Sequence, residues 1–239
     1  MKPTLKLIYL MCFALVAEHA SAVVTEEDVN TAYYAGDTAV LEALRSEINE
    51  ANSEDALLAA YLDWRAASIF IGNGDDKAAD AALKRGQKTL ESLVEEAPDS
   101  AEAWALLSTT LGMRIGIRPM TRGITMGRRA DKAIDKALAL EPDNPRVLLI
   151  SAIGKLNKPS MFGGDKQAAM SELDAAIEAA SVHGTGRYAW GDVDAYIWRG
   201  IAYRQAGDDA AAAADFDRAL AVVPSYGWAQ QLKASVASD

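Results

Sequence analysis

The stretch from Gly112 to Arg129 carries five arginines, Arg114, Arg118, Arg122, Arg128 and Arg129, and no acidic residue. In a chain of formal charge −10, this local reversal of sign points to recognition of an anion or carboxylate. A guanidinium presents parallel N–H donors that match a carboxylate or phosphate bidentately. The competing reading is charge balance, with the arginines satisfying acids on neighbouring helices such as Glu102, Asp131 or Asp135. Three methionines, Met113, Met120 and Met126, lie in the same stretch. They either fill core gaps or line an adaptable apolar contact surface. Glycines at 112, 116, 123 and 127, with Pro119, make part of the stretch read as a shaped loop.

Two further stretches are candidates. In Pro159-Ser160-Met161-Phe162-Gly163-Gly164-Asp165 two glycines stand directly before a helical pattern, where bare N-terminal amides can hold an anion. The alternative is a tight turn in which Phe162 plugs a helical hairpin and Asp165 caps the next helix. No strand precedes the glycines and no Lys-Ser/Thr follows, which excludes a nucleotide loop. The segment from Ser181 to Asp192 contains Tyr188 and Trp190, either as a binding lip or as an anchor for a long connection. With Arg146, which opens a later helix, the candidate partner-binding residues are Arg114, Arg118, Arg122, Arg146, Phe162 and Trp190.

Catalysis finds little material. His183 is the one histidine beyond the first nineteen residues, so a histidine-based metal site would need carboxylates that show no ligand spacing. Acidic runs such as Glu26-Glu27-Asp28 and Glu95-Glu96 fall at helix ends and read as solvated charge. No catalytic residue, metal ligand or cofactor is expected.

The elements that must position these residues are helices. Capping residues mark the starts: Thr25 with Asp28, Asp99-Ser100, and Asp165. Glycine and proline mark the stops at Gly36, Gly72-Asn73-Gly74, Pro98, Pro142, Pro159, Gly207 and Pro224. Sustained period-2 alternation is lacking, so no sheet is expected. The first residues read differently. Lys2 and Lys6, the apolar run Leu7–Ala17 and Ala20-Ser21-Ala22 have the form of a signal peptide over residues 1–22, cleaved after Ala22. Its removal takes away Lys2, Lys6 and Glu18, shifting the formal charge from −10 to −11, together with Cys12, the sole cysteine. That implies an exported chain, periplasmic or alternatively secreted, held by packing rather than disulfides. An acidic balance of this size argues against nucleic acid as a partner.

The C-terminal unit carries an internal pattern: Tyr196, Gly200, Tyr203, Gly207-Asp208, Ala212, Phe216, Ala219-Leu220 and Pro224. This spacing resembles the tetratricopeptide repeat, with Arg199 standing where the repeat has leucine. Weaker copies run upstream through Trp104 to Pro142 and Leu148 to Ala176, with about ten and about five extra residues at equivalent points. The Arg-rich stretch and the Phe-Gly-Gly-Asp loop also resemble a set of exported bacterial repeat proteins without an assigned activity. The resemblance implies an all-α, right-handed α-solenoid of about five hairpins over residues 23–239, with Trp228, Leu232 and Val236 on a capping helix. It implies that first helices line a concave wall, here through Arg146, Leu149, Ile153, Ile197, Ile201 and Arg204. A non-catalytic scaffold for a protein or peptide partner in the cell envelope is the function expected. The alternative is a periplasmic binding protein for an anionic small ligand, requiring a pocket where Arg114, Arg118 and Arg146 converge. The two extra segments interrupt neighbouring hairpins at the same point and should emerge on one edge.

Overall fold

Helix starts are set by side chains that satisfy the free amides of the first turn. In the computed structural model, which describes residues 23–183 and 191–236, Thr25 and Asp28 form a reciprocal capping box at the first helix, α1 (Glu26–Ala35). Asp37, Asn52, Asp75 and Ser100 cap α2 (Thr38–Glu47), α3 (Ser53–Gly72), α4 (Asp76–Glu96) and α5 (Ala101–Ile117). Each such cap contributes about 1 kcal/mol. α6 (Pro119–Leu140) has no side-chain cap and begins on a proline, which has no N–H to satisfy. α7 (Pro145–Asn157), α8 (Lys166–His183), α9 (Asp192–Gln205), α10 (Asp209–Val222) and α11 (Gly227–Val236) follow, with one 3-10 turn at Ser160–Phe162.

Consecutive helices pair as antiparallel hairpins, α1 with α2 through α9 with α10, and α11 closes the array. The described residues contain no strand. The last full hairpin shows why its residue types recur. Gly200 on α9 lets the Phe216 ring of α10 lie directly against its backbone, and Phe216 and Ala212 are fully buried. Arg199, in the place of the repeat's leucine, donates to the buried carboxylate of Asp215 from Nε at 2.7 Å and Nη2 at 2.8 Å. The departure from pattern is therefore answered by a charge on the second helix. That pairing raises the guanidinium above its usual pKa.

The array closes on itself. Tyr226, just before α11, donates its hydroxyl to that of Tyr33 on α1 at 3.0 Å, and its ring lies 4.7 Å from that of Tyr34. Arg65 on α3, 2 % exposed, reaches Asp194 on α9 at 2.5 Å and the Tyr61 hydroxyl at 2.7 Å. Its guanidinium also lies 4.1 Å from the centre of the Tyr33 ring. Of the six residues expected to line the concave wall, three are buried, and Ile153 and Ile201 are half-buried. Leu149 and Ile197 are fully buried, Arg146 is 2 % exposed, and Arg204, though exposed, donates to Ser235 on α11. The sequence pattern specifies which face of each first helix turns inward. It does not specify how tightly the array curves.

No helix among the described residues is long and apolar enough to cross a membrane. The expected signal peptide lies outside the described residues, as does the segment 184–190 with Trp190.

Candidate functional site

The Arg-rich stretch is helical where a loop was expected. α5 runs to Ile117 and α6 starts at Pro119, so Arg118 alone forms the break. The extra residues become extra turns: α5 and α6 have 17 and 22 residues, against 14 in each of α9 and α10. This works because the preceding hairpin, with helices of 20 and 21 residues, runs alongside. Every added turn keeps its backbone hydrogen bonds, which a long loop would have to find elsewhere.

That same neighbour takes up most of the positive charge. Arg122 pairs bidentately with Asp80 on α4, at 2.6 Å and 2.7 Å, and the Nε of Arg114 donates to the same carboxylate at 3.0 Å. Arg114 also donates to Gln87, and Arg129 pairs with Glu91. The acids expected as balancing partners are elsewhere: Glu102 binds Arg146 and Asp131 binds Lys158. Arg114 and Arg122 are therefore committed to holding α4, α5 and α6 together. Arg118 and Arg128 are exposed and have no ion-pair partner among the described residues.

The Arg122 fork, then Arg114, holds the Asp80 carboxyl well below its ordinary range, to about 2. A depressed folded-state pKa stabilises the fold above the unfolded value of about 3.9, and the contribution is lost as pH falls toward 2. Asp80→Asn is therefore expected to lower stability at pH 7 while flattening the loss between about pH 4 and pH 2. Urea denaturation across that window would show it; an unchanged acid slope would reject the assignment.

Arg146 is a structural cation too. Its Nη1 donates to Glu102 and its Nη2 to Glu26, each at 2.7 Å, joining α7 to α5 and α1. Burial raises the pKa of Glu26, with Arg146 acting against the rise. Arg146 lines a cavity of about 700 Å³ together with Glu26, Glu54, Asp55, Asp99, Glu102 and Glu141. Arg114 and Arg118 do not line it. The expected convergence of three arginines does not occur; among the charged lining residues Arg146 faces six carboxylates, and apolar residues such as Val24, Leu57, Leu58 and Leu106 line the rest. Among the described residues no group of three or more His, Cys, Asp or Glu side chains could hold a metal ion.

The loop after α7 differs from expectation at one residue. Asp165 caps α8, accepting from the Ala168 amide at 3.0 Å. Gly163 has φ of +88°, and a Cβ on Gly164 would lie 1.9 Å from the Lys158 carbonyl oxygen, so both glycines are demanded by the turn. Phe162, however, plugs nothing: it is 65 % exposed, beside Met161 at 82 %.

A second exposed apolar pair lies at the preceding hairpin's turn. Met120 is 97 % and Ile124 86 % exposed, one turn apart on the outer face of α6. The buried stripe of α6 runs through Ala130, Ala133, Ile134 and Ala137, and extending it backwards bypasses both residues. That offset is a signal in the sequence, and composition alone hid it. Lys158 at the end of α7 pairs with Asp131 on α6, so the loop carrying Met161 and Phe162 leaves α7 beside α6. α6 meets α7 far more sparingly than α4 meets α5 or α8 meets α9. A Cβ added at Gly123 or Gly127 would meet nothing within 4 Å. Of the residues singled out by sequence, Arg118 and Phe162 are exposed, and Arg114, Arg122 and Arg146 are engaged inside the fold.

No protein-family model matches the chain, and neither does any curated protein. Among solved structures it is similar to the HusA haemophore from Porphyromonas gingivalis, with TM-score 0.61 and 21 % identity over 77 % of this chain and 96 % of that one. It is also similar to TTC0263, a thermophilic TPR protein in Thermus thermophilus, with TM-score 0.54 and 15 % identity over 86 % and 91 % of the two chains. At these identities the likeness concerns the fold: an all-helical solenoid of tetratricopeptide type.

Proposed function

We propose that this chain is an exported, non-catalytic repeat scaffold that holds another protein by the edge formed at the α5–α6 and α7–α8 connections. The observation that carries the reading is the exposure of Met120, Ile124, Met161 and Phe162 on neighbouring hairpins. Large apolar side chains grouped on one edge cost solubility and are a mark of interaction surfaces. Leu149 and Ile197, expected on the concave wall, are meanwhile buried within the chain's own core. A periplasmic location accords with the signal-peptide form of residues 1–22, and the resemblance to exported repeat proteins with an Arg-rich stretch and a Phe-Gly-Gly-Asp loop supports the same class.

The alternative, carriage of an anionic small ligand, draws on the haemophore among the similar folds. The cavity gives it less support, because six carboxylates line it and its one arginine already serves two of them. Carboxylate walls repel an anion.

The deciding experiment is crosslinking in intact cells, comparing wild type with Met120→Ser/Ile124→Ser and Met161→Ser/Phe162→Ser. These exposed substitutions are expected to change stability by less than about 0.5 kcal/mol while removing the crosslinked partner. Recovery of the same partner by both variants would discard the edge.

A further inference from the structure

We infer that the occupant of this edge is an α-helix of a partner protein, one that presents apolar residues one turn apart and carboxylates in the adjoining turns. The inference rests on the reading of the edge given above and adds the chemistry of the partner. α6 carries an exposed ridge at four-residue steps, Met120, Ile124 and Arg128, and ridges of this spacing are what helices use when they pack ridge into groove. Beside the ridge, between it and the buried stripe, lie Gly123 and Gly127, with open space where their side chains would be. The two glycines, one turn apart, leave the helix surface low and open next to Met120 and Ile124, with no described residue within 4 Å of where their side chains would be. Apolar side chains of a partner helix seated over the glycines approach the α6 backbone closely and cover Met120 and Ile124, which removes apolar surface of both from water.

Charge selects the partner's polar residues. Arg118 stands at the head of α6 and Arg128 at the end of the ridge, both exposed and both without an ion-pair partner among the described residues. The remaining arginines of the stretch are bound to Asp80 and Glu91, so these two are available to carboxylates. A second copy of α6 would bring like charges together, which costs energy instead of yielding it. A bilayer fits less well, because an anionic surface repels a chain of net charge −10 and a flat surface leaves the space over the glycines empty. The site lies outside the concave wall, on the second helix of its hairpin.

The probe is a fluorescein-labelled, alanine-based helical peptide with two leucines one turn apart and a glutamate one turn before and one turn after them, titrated with the full chain by fluorescence anisotropy. Saturable binding is expected, weakened about tenfold by Arg118→Glu/Arg128→Glu and by Ile124→Ser, and weakened by salt because exposed pairs are screened. Replacing the peptide's glutamates with lysines is expected to abolish binding. Absence of saturable binding, or equal affinity for the lysine peptide, overturns the inference. Sedimentation of a dimer dispersed by Ile124→Ser would assign the edge to a second copy, and pelleting with anionic vesicles lost in the same variant would assign it to lipid; either result overturns the helix. If the crosslinked partner is lost in the serine variants but the glutamate peptide fails to bind, the edge stands and its partner's chemistry is wrong.

Discussion

Replacing Asp194 with alanine is expected to lower the stability of this chain by about 3–5 kcal/mol. For a domain of about two hundred residues, this corresponds to a fall in Tm on the order of 10 °C. The reason lies in where its partner sits. Arg65 is 2 % exposed, and besides Asp194 its guanidinium meets the Tyr61 hydroxyl and the rings of Tyr33 and Trp64. Removing the carboxylate leaves a guanidinium that cannot shed its proton facing aromatic walls, with no route to water. Opposing burial, Asp194 holds the Arg65 pKa above its ordinary value, so the charge is retained across the accessible pH range. The double variant Arg65→Met/Asp194→Leu should be far less damaged than Asp194→Ala alone, since apolar replacement of a buried pair is often neutral. Thermal and urea unfolding would check both. A loss below about 1 kcal/mol for Asp194→Ala would mean that Arg65 finds water, and that the array is more open than described.

The second large effect concerns the α9–α10 hairpin, where Gly200 lets the Phe216 ring lie against the backbone. A Cβ on Gly200 would lie 2.5 Å and 2.9 Å from two carbons of the Phe216 ring, which is itself fully buried. Neither side can yield cheaply, and Gly200→Ala is expected to cost about 1–3 kcal/mol through forced displacement. Phe216→Ala removes the ring and should cost about 3–5 kcal/mol through transfer and cavity terms. In the double variant the new methyl enters space the ring has vacated. Its cost should therefore fall short of the sum of the single variants by at least about 1 kcal/mol. Strict additivity in urea denaturation would show that the ring and the glycine do not meet.

The features legible in the sequence are local ones. Caps, glycine and proline stops and the three-to-four-residue spacing of apolar positions act within a turn or two of the chain. Reading Thr25, Asp165, Gly36 and Gly207 therefore located helix ends that the structure reproduces within a residue or so. Gly200 and Phe216 were legible as repeat positions, but that the ring lies directly on Gly200 came from the structure. The two extra segments were legible as interruptions of successive hairpins; in the structure one becomes helix and the other a short turn.

Which charges meet, and how far the array curves, emerged only from packing between distant helices. Arg114 and Arg122 find Asp80 across 34 and 42 residues, Arg65 finds Asp194 across 129, and Tyr226 reaches Tyr33 across 193. Charge is long-ranged and carries no register, so an arginine in the sequence specifies the sign of its partner and nothing about its place. Helix continuity through Gly112 to Arg129 was hidden for a related reason. Glycine and proline disfavour a helix locally, and only a neighbouring hairpin of equal length offers the packing and the carboxylates that offset that cost. The five arginines that began as one candidate site are thereby divided: three brace the fold against Asp80 and Glu91, and Arg118 and Arg128 remain facing solvent.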